Sequence, residues 1–112
     1  MTTQEFYDEH IELLKANDAV KLAELHYHPE ATMLVLTGDE PMYVQGLQAI
    51  TNLFKGYLEY VYRGFISTEK LALTDDSMFL EASIDTVNGH LKVYDAMYLK
   101  DGKIYRHFTG VK

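Results

Sequence analysis

The chain has no cysteine among its 112 residues, which excludes a disulfide framework, thiolate chemistry and any zinc site built on cysteine. It also lacks any apolar run near the ~20 residues that a helix needs to cross a bilayer. Its first residues do not follow the basic and then apolar pattern of a signal peptide. We therefore expect a cytoplasmic protein with no membrane partner.

Positive charge is also scarce, because 10 lysine and arginine residues stand against 17 aspartate and glutamate residues, giving a formal net charge of −7. The basic residues are scattered and form no stripe. Such a surface repels the phosphates of nucleic acids and of anionic membranes, so we expect no nucleic-acid partner. The 47% hydrophobic content is typical of a folded globule, and the length predicts one domain over residues 1–112.

The N-terminal half has the periodicity of three helices. Thr2–Glu5 offers a capping box, after which apolar residues recur at helical spacing. Asn17-Asp18 separates this helix from a second one, which stops before Pro29 because the residue preceding proline disfavours helical geometry. A strand follows, and a third helix lies between Gly46 and Gly64.

The C-terminal half reads as strands and tight turns. The predicted strands cover residues 65–74, 77–87, 90–100 and 103–111, joined at Asp75-Asp76, Asn88-Gly89 and Asp101-Gly102. Asn-Gly and Asp-Gly favour two-residue hairpin turns, since such turns need positive φ angles. Helices followed by a meander predict an α+β fold, in which three helices cover one face of a strongly curved antiparallel sheet.

Two-residue turns also predict which residues face each other across the meander. The expected pairs are Leu71 with Leu80, Glu69 with Ala82, Ala82 with Asp95, Asp95 with Phe108, Met97 with Arg106 and Leu99 with Ile104. On the outer face the same register sets Lys70 opposite Glu81, as an exposed charge ladder requires. One row of the inner face then consists of Glu69, Ala82, Asp95 and Phe108, which suggests the floor of a cavity.

Asp95 is a lone carboxylate on the otherwise apolar face of its strand, and burying it unpaired costs several kcal/mol. It could act as a general base whose pKa is raised by an apolar pocket and by Glu69. Alternatively, an ion pair with Arg106 would leave it structural. The sequence leaves both open.

His107 and Glu69 depend on strand bulges. A regular last strand turns His107 outward, whereas a bulge would turn it inward as an acid–base partner. Conversely, a bulge would send Glu69 outward. Tyr57 and Tyr60 of the third helix, with Met33 of the first strand, could line a pocket in which the Tyr57 hydroxyl holds a carbonyl oxygen, or could be plain core.

Two further patterns concern metals and partners. His26-Tyr27-His28 has no supporting acidic residue or cysteine at a suitable spacing, so we expect loop histidines and no metal site. The outer sheet face carries exposed aromatic residues among charges, which predicts a homodimer interface: Phe79, Tyr94, Tyr98 and Tyr105.

Three segments carry a resemblance to a known family: Asn17-Asp18-Ala19, the run from Val44 to Ile50, and the run from Tyr94 to Phe108. With the order of helices and strands, they resemble the nuclear transport factor 2-like superfamily, and most of all its SnoaL-like branch of polyketide cyclase relatives. The resemblance covers almost the whole chain.

The resemblance implies a cone-shaped, commonly dimeric fold around an apolar pocket. Its enzymes work by acid–base chemistry from a pocket carboxylate without a metal or cofactor, while other members only bind ligands or partners. His107 matches the family's histidine before a tryptophan-like position, and Thr109 stands where an aspartate is often found. We thus expect an apolar small molecule in a pocket with Asp95, His107 and Tyr57 as catalytic residues. The expected lining is Met33, Tyr60, Glu69, Ala82, Met97, Arg106 and Phe108. The alternative is a non-catalytic binding or dimeric association module.

Overall fold

The computed structural model describes all residues, 1–112, as three helices and six strands. The helices are α1 (Thr3–Lys15), α2 (Ala19–His26) and α3 (Leu47–Tyr60). The strands are β1 (Tyr27–Leu36), β2 (Met42–Gln45), β3 (Tyr62–Leu73), β4 (Ser77–Thr86), β5 (Gly89–Lys100) and β6 (Lys103–Val111). The predicted capping box is present at the start of α1, where Thr2 and Glu5 exchange side-chain and backbone hydrogen bonds. The predicted α+β class is confirmed.

The six strands form one curved, unclosed sheet in the order β2-β1-β6-β5-β4-β3. The sheet is mixed rather than antiparallel as expected, because β1 runs parallel to β6. The hairpin turns specify only the meander from β3 to β6. The docking of β1 beside the last strand is a long-range pairing, on which local turn chemistry carries no information.

Two of the three predicted turns are correct. Asp101 and Gly102 have φ angles of 54° and 75°, and Leu99 faces Ile104. At Asp75-Asp76, Leu71 faces Leu80 as expected.

The third hairpin is displaced. Thr86 pairs with Gly89, so the turn residues are Val87 and Asn88, and Ala82 faces Val93 instead of Asp95. The pairing register between β4 and β5 is thus shifted by two residues. Since side chains alternate with a period of two, every side chain keeps its expected face.

Two of the bulges in the sheet change which of the predicted site residues face inward. Tyr105 is an extra residue between Ile104 and Arg106, so Met97 faces His107 and Asp95 faces Thr109. The expected inward position of Arg106 and Phe108 is therefore wrong, and the bulge brings His107 inside.

The bulged ring of Tyr105 is held on the outer side. The Arg106 guanidinium lies 3.8 Å from its centroid, and the His28 ring packs edge-on at 5.0 Å.

The second bulge is at Glu69, which lies between Thr68 (opposite Ala82) and Lys70 (opposite Glu81). The expected pairing of Glu69 with Ala82 is wrong for this reason. Glu69 is exposed and accepts hydrogen bonds from Ser67 and Ser83. The expected pairing of Lys70 with Glu81 is confirmed, with an ion pair of 3.6 Å.

The helices cover the inner face of the sheet unevenly. At one end the cover is complete, and the fully buried side chains there are Leu22, His26, Tyr27, Met33, Ile50 and Ile104. Each such apolar side chain contributes roughly 1.5–3 kcal/mol through its removal from water. Towards Val93, Asp95 and Thr109 the inner face is only half-buried, and Val111 is exposed. No helix is long and apolar enough to cross a membrane.

Candidate functional site

Asp95 lies on the inner face of β5, at the boundary between the closed and the open parts of the interior. Its carboxylate Oδ1 accepts a hydrogen bond from Nε2 of His107, at 2.6 Å. The His107 side chain is 5% exposed, whereas that of Asp95 keeps 18% of its surface accessible. The two residues are diagonal neighbours on adjacent strands, a position that the Tyr105 bulge creates. The other oxygen of the carboxylate is left without a protein partner.

Tyr27 contacts the opposite edge of the His107 ring. Its hydroxyl lies 2.9 Å from Nδ1 of His107, and the two rings stack with centroids 5.9 Å apart. Tyr27 is completely buried and also packs against Phe54, at 5.3 Å. The result is a linear group, Tyr27–His107–Asp95, that joins three neighbouring strands. We call it the sheet triad.

Three tyrosines have pKa values that burial and the Asp95 charge raise. Burial raises the pKa of Tyr57, and the Asp95 charge raises it further. Burial likewise raises the pKa values of Tyr7 and Tyr27, and Asp95 contributes to each. The Tyr7 hydroxyl is bonded to Thr68, whereas the Tyr57 hydroxyl makes no hydrogen bond to the protein.

The other predicted pocket residues divide into two groups. Met33, Ala82 and Met97 are inside and buried, and Met33 and Met97 flank His107 on the neighbouring strands. Four of the residues do not face the interior: Tyr60, Glu69, Arg106 and Phe108.

Each of the four has a structural reason for its position. Tyr60, at the end of α3, is 69% exposed, and Phe108 is 51% exposed on the outer face. Arg106 binds backbone carbonyls on the outer face, so Asp95 forms no ion pair with it. Glu69 is turned out by its own bulge.

A second histidine–carboxylate group lies between the helices and was not foreseen. His26 Nε2 donates to Oε1 of Glu9 at 2.7 Å, and His26 Nδ1 lies 3.0 Å from Nδ1 of His10. His26 also stacks on Phe6, with centroids 4.0 Å apart. We call Glu9, His26 and His10 the helix triad. The prediction that His26 is a loop histidine is wrong, because it is the last residue of α2 and is fully buried.

The sequence did contain a signal for this group. His10 follows Phe6 by four residues and precedes Leu13 by three, which places it on the buried stripe of α1. His26 follows Leu22 by four in the same way. Helical spacing alone therefore predicts two buried histidines, although their contact with each other is long-range.

The proton positions in both triads follow from hydrogen-bond chemistry. An ionised carboxylate only accepts, so Nε2 of His107 and Nε2 of His26 carry protons. For neutral rings, Nδ1 of His107 then accepts from the Tyr27 hydroxyl, and Nδ1 of His26 accepts from Nδ1–H of His10. Burial holds the pKa of His10 well below its ordinary value, and His26 and His107 lower it further. Burial also lowers the pKa of His26, against the opposing effect of Glu9.

Metal ligation has no corresponding arrangement in the structure. No three histidine, cysteine, aspartate or glutamate side chains are grouped so that they could hold a metal ion. In the two triads the nitrogen and oxygen atoms that face one another are bonded to each other, and the remaining histidine–carboxylate contacts are the pairs His28–Asp101 and His90–Asp85.

Comparisons with known proteins place the fold. No protein-family model and no curated protein matches the sequence. Among solved structures, an NTF2-like protein of unknown function from Mesorhizobium loti superposes with a TM-score of 0.83 at 19% identity, covering 98% of this chain and 90% of that one. A provisionally assigned SnoaL-like polyketide cyclase, also from Mesorhizobium loti, gives a TM-score of 0.76 at 21% identity, covering 97% and 98%. A second provisionally assigned polyketide cyclase, from Sinorhizobium meliloti, gives 0.75 at 18%, covering 94% and 93%.

These likenesses define the class of structure: a curved sheet with three helices on its inner face, as in the nuclear transport factor 2-like superfamily. Within that superfamily the solved neighbours include SnoaL-like proteins, so the predicted relationship is confirmed at the level of the fold. At these identities the likeness carries the architecture and leaves the chemistry to the residues of this chain.

Proposed function

We propose that the protein binds a small apolar carbonyl compound at the half-open end of its interior and removes a proton next to the carbonyl, with Asp95 as the general base. One observation carries the proposal. Asp95 faces inward with one oxygen bonded to His107 and the other without a protein partner. A fixed carboxylate with one free oxygen has the geometry that a general base needs.

The chemical step would use the free oxygen, Oδ2. The C–H bond of the substrate breaks, its proton moves to Oδ2, and its electron pair stays on the substrate as an enolate. Return of the proton from Oδ2 to a different carbon of a conjugated enolate would complete an isomerisation. Attack of the enolate on a second carbonyl would form a C–C bond and an alkoxide, and transfer of the proton from Oδ2 to that alkoxide would complete an aldol closure. Either outcome balances without an oxidant, a metal or a cofactor.

Tyr57 would stabilise the enolate oxygen. Because burial and Asp95 both raise its pKa, its hydroxyl keeps its proton at neutral pH and remains a donor. Its hydroxyl has no competing partner in the protein, so it is free to donate to a ligand. Preorganised donors of this kind typically contribute about 10²-fold or more to the rate.

The test is hydrogen exchange at carbon. α-Tetralone, an apolar aromatic ketone with exchangeable hydrogens beside its carbonyl, would be incubated with the protein in deuterium oxide and followed by proton NMR. We expect the protein to accelerate exchange and Asp95→Asn to reduce the acceleration by about 100-fold, the usual range for a lost general base. Thermal unfolding of the variant would show that the fold is retained.

Glu69→Gln is the matched control, since it also neutralises one carboxylate on the sheet, but outside the interior. It should leave exchange unchanged. Exchange that survives Asp95→Asn would overturn the role of Asp95. Binding of the ketone, seen as shifted resonances, without any exchange would favour the binding module.

A second function, self-association, is favoured by one specific observation. A single row of side chains on the outer face is apolar or aromatic on all six strands: Ala72, Phe79, Ala96, Phe108, Leu34 and Tyr43. Phe79 and Phe108 are 39% and 51% exposed. A continuous apolar row of this length is typical of an interface. We propose an isologous dimer through this row.

The aromatic set expected from sequence is only partly available for this interface. Phe79 and Tyr98 are exposed, but the Tyr94 ring lies directly over Gly110, leaving no room there even for a Cβ atom. Tyr105 is occupied by Arg106, Lys100 and His28. Phe108, which was expected inside, takes their place in the row.

Light scattering after size exclusion tests the dimer. Phe108→Asp should convert a dimer into a monomer, because it places two charges at the centre of an isologous contact. Tyr60→Asp is the matched control, since Tyr60 is an exposed aromatic residue on α3, away from the row. A wild-type monomer, or a dimer that tolerates Phe108→Asp, would contradict the proposed interface.

A further inference from the structure

Tyr27 is the one member of the sheet triad whose role is not explained by the proposed chemistry. It is completely buried at the start of β1, and its hydroxyl bonds to the His107 nitrogen that faces away from Asp95. A phenylalanine would fill the same space against Phe54 and His10. The hydroxyl, and its contact with His107, is therefore the only feature of Tyr27 that a phenylalanine would not supply.

A tyrosine hydroxyl can both donate and accept a hydrogen bond, unlike a carbonyl or an ionised carboxylate, which only accepts, and a backbone N–H, which only donates. When His107 is neutral, its Nε2–H donates to Asp95 and its bare Nδ1 accepts from Tyr27. When His107 is charged, its Nδ1–H donates to the same hydroxyl oxygen. Only the hydroxyl hydrogen has to rotate, so the same 2.9 Å contact can serve both states.

We propose that Tyr27 is a positioning residue for the Asp95–His107 pair, allowing a buried His107 to hold either one or two protons without moving. Its significance for catalysis rests on the proposed function, since a histidine that can change its charge in place can offset charge changes on Asp95 during the reaction. The hydrogen-bonding role itself is independent of any substrate.

The surroundings of His107 make this role necessary. Its ring is 5% exposed and is flanked on the neighbouring strands by Met33 and Met97, which cannot satisfy a charged N–H group. The ionisable groups bonded to it are Asp95 from β5 and Tyr27 from β1, and His10 from α1 packs against the Tyr27 ring with centroids 6.4 Å apart. Of these, only Tyr27 is bonded to Nδ1.

NMR titration of the His107 ring tests the proposal without a substrate. In Tyr27→Phe the charged ring would bury an unpaired N–H group, so its titration midpoint should fall by about one pH unit, a tenfold loss in proton affinity. Tyr62→Phe is the matched control, because the Tyr62 hydroxyl is also buried but has no hydrogen-bond partner. It should leave the midpoint unchanged.

A midpoint that stays constant or rises in Tyr27→Phe would overturn the inference. If that variant does not fold, nitrogen-15 NMR of the wild-type protein at pH 9 gives a second test, well above the ordinary pKa of imidazole. The proton should then be on Nε2, and a proton on Nδ1 would overturn the inference. If the wild-type protein does not catalyse ketone exchange but the His107 midpoint falls in Tyr27→Phe, only the proposed function is rejected. If exchange is catalysed but the midpoint is unchanged in Tyr27→Phe, only the role of Tyr27 is rejected.

Discussion

The sheet triad and the helix triad contain the same pair in different settings. In each, a buried imidazole donates from Nε2 to a carboxylate that reaches solvent, with side-chain exposures of 5% and 18% for His107 and Asp95, and 1% and 44% for His26 and Glu9. The third partner differs. Nδ1 of His107 is hydrogen-bonded to the Tyr27 hydroxyl, which can donate or accept, whereas Nδ1 of His26 is hydrogen-bonded to a second imidazole, His10.

This difference decides what each group can do. Two facing Nδ1 atoms share one proton, so His10 and His26 cannot both be charged without breaking their 3.0 Å bond. The sheet triad can gain and lose a proton in place. A histidine–carboxylate pair is therefore not by itself a sign of catalysis. The partner of the second ring nitrogen decides whether the histidine can change its protonation state in place or has only a structural role.

The largest expected difference between the two triads is a loss of stability in acid that comes from the helix triad. Burial lowers the pKa values of His10 and His26 in the folded state, while the unfolded chain keeps values near ~6.5. Unfolding therefore takes up protons below that pH, and this contribution to stability is complete above pH ~6.5 and decreases below it. The free energy of unfolding should therefore fall as the pH is lowered from 6.5 to 5.5, by at most about 1.4 kcal/mol per pH unit for each histidine that stays neutral in the folded state.

Urea unfolding between pH 5.5 and 8 measures this loss. His26→Phe, which keeps a ring against Phe6, should flatten the profile. His90→Gln is the control, because His90 has a side chain that is 78% exposed. The prediction is contradicted if the free energy of unfolding of His26→Phe decreases below pH 6.5 as steeply as that of the wild type.

Smaller effects are expected from neutralising the two carboxylates, and the two variants should differ in whether ketone exchange is lost. Glu9→Gln should lower the free energy of unfolding by about 1 kcal/mol, because a glutamine amide oxygen accepts a weaker hydrogen bond from His26 than an ionised carboxylate does, and should leave ketone exchange unchanged. Asp95→Asn should remove exchange at a comparable cost in stability. Both are measured by urea unfolding and the α-tetralone assay, and equal loss of exchange in the two variants would mean that the helix triad takes part in the chemistry.

Much of the fold was predictable from the sequence, because it is specified by local signals. The capping box at Thr2, the Asp101-Gly102 turn and the alternation of β5 each involve residues close in the chain, and all three have the predicted form. The parallel pairing of β1 with β6 and the Val87-Asn88 turn depend on how distant segments pack, and the sequence predicted neither.

The candidate site was predictable only in part, since it depends on one extra residue. Asp95 was identified from strand alternation, but a regular last strand predicted Arg106 as its ion-pair partner, and His107 was expected inside only if the strand contained a bulge. The Tyr105 bulge exchanges Arg106 for His107 on the inner face. A bulge has no firm local signature, because contacts of Tyr105 with His28 and Arg106 on the outer face stabilise it.

A double-mutant cycle tests the contact on which both the site and its register depend. Unfolding free energies of Asp95→Ala, His107→Ala and the double variant would give their coupling energy, with Asp95→Ala and Arg106→Ala as the parallel cycle. We predict a coupling of about 2 kcal/mol between Asp95 and His107, as for a buried hydrogen bond to a charged group, and none between Asp95 and Arg106. Coupling to Arg106 in place of His107 would contradict the account.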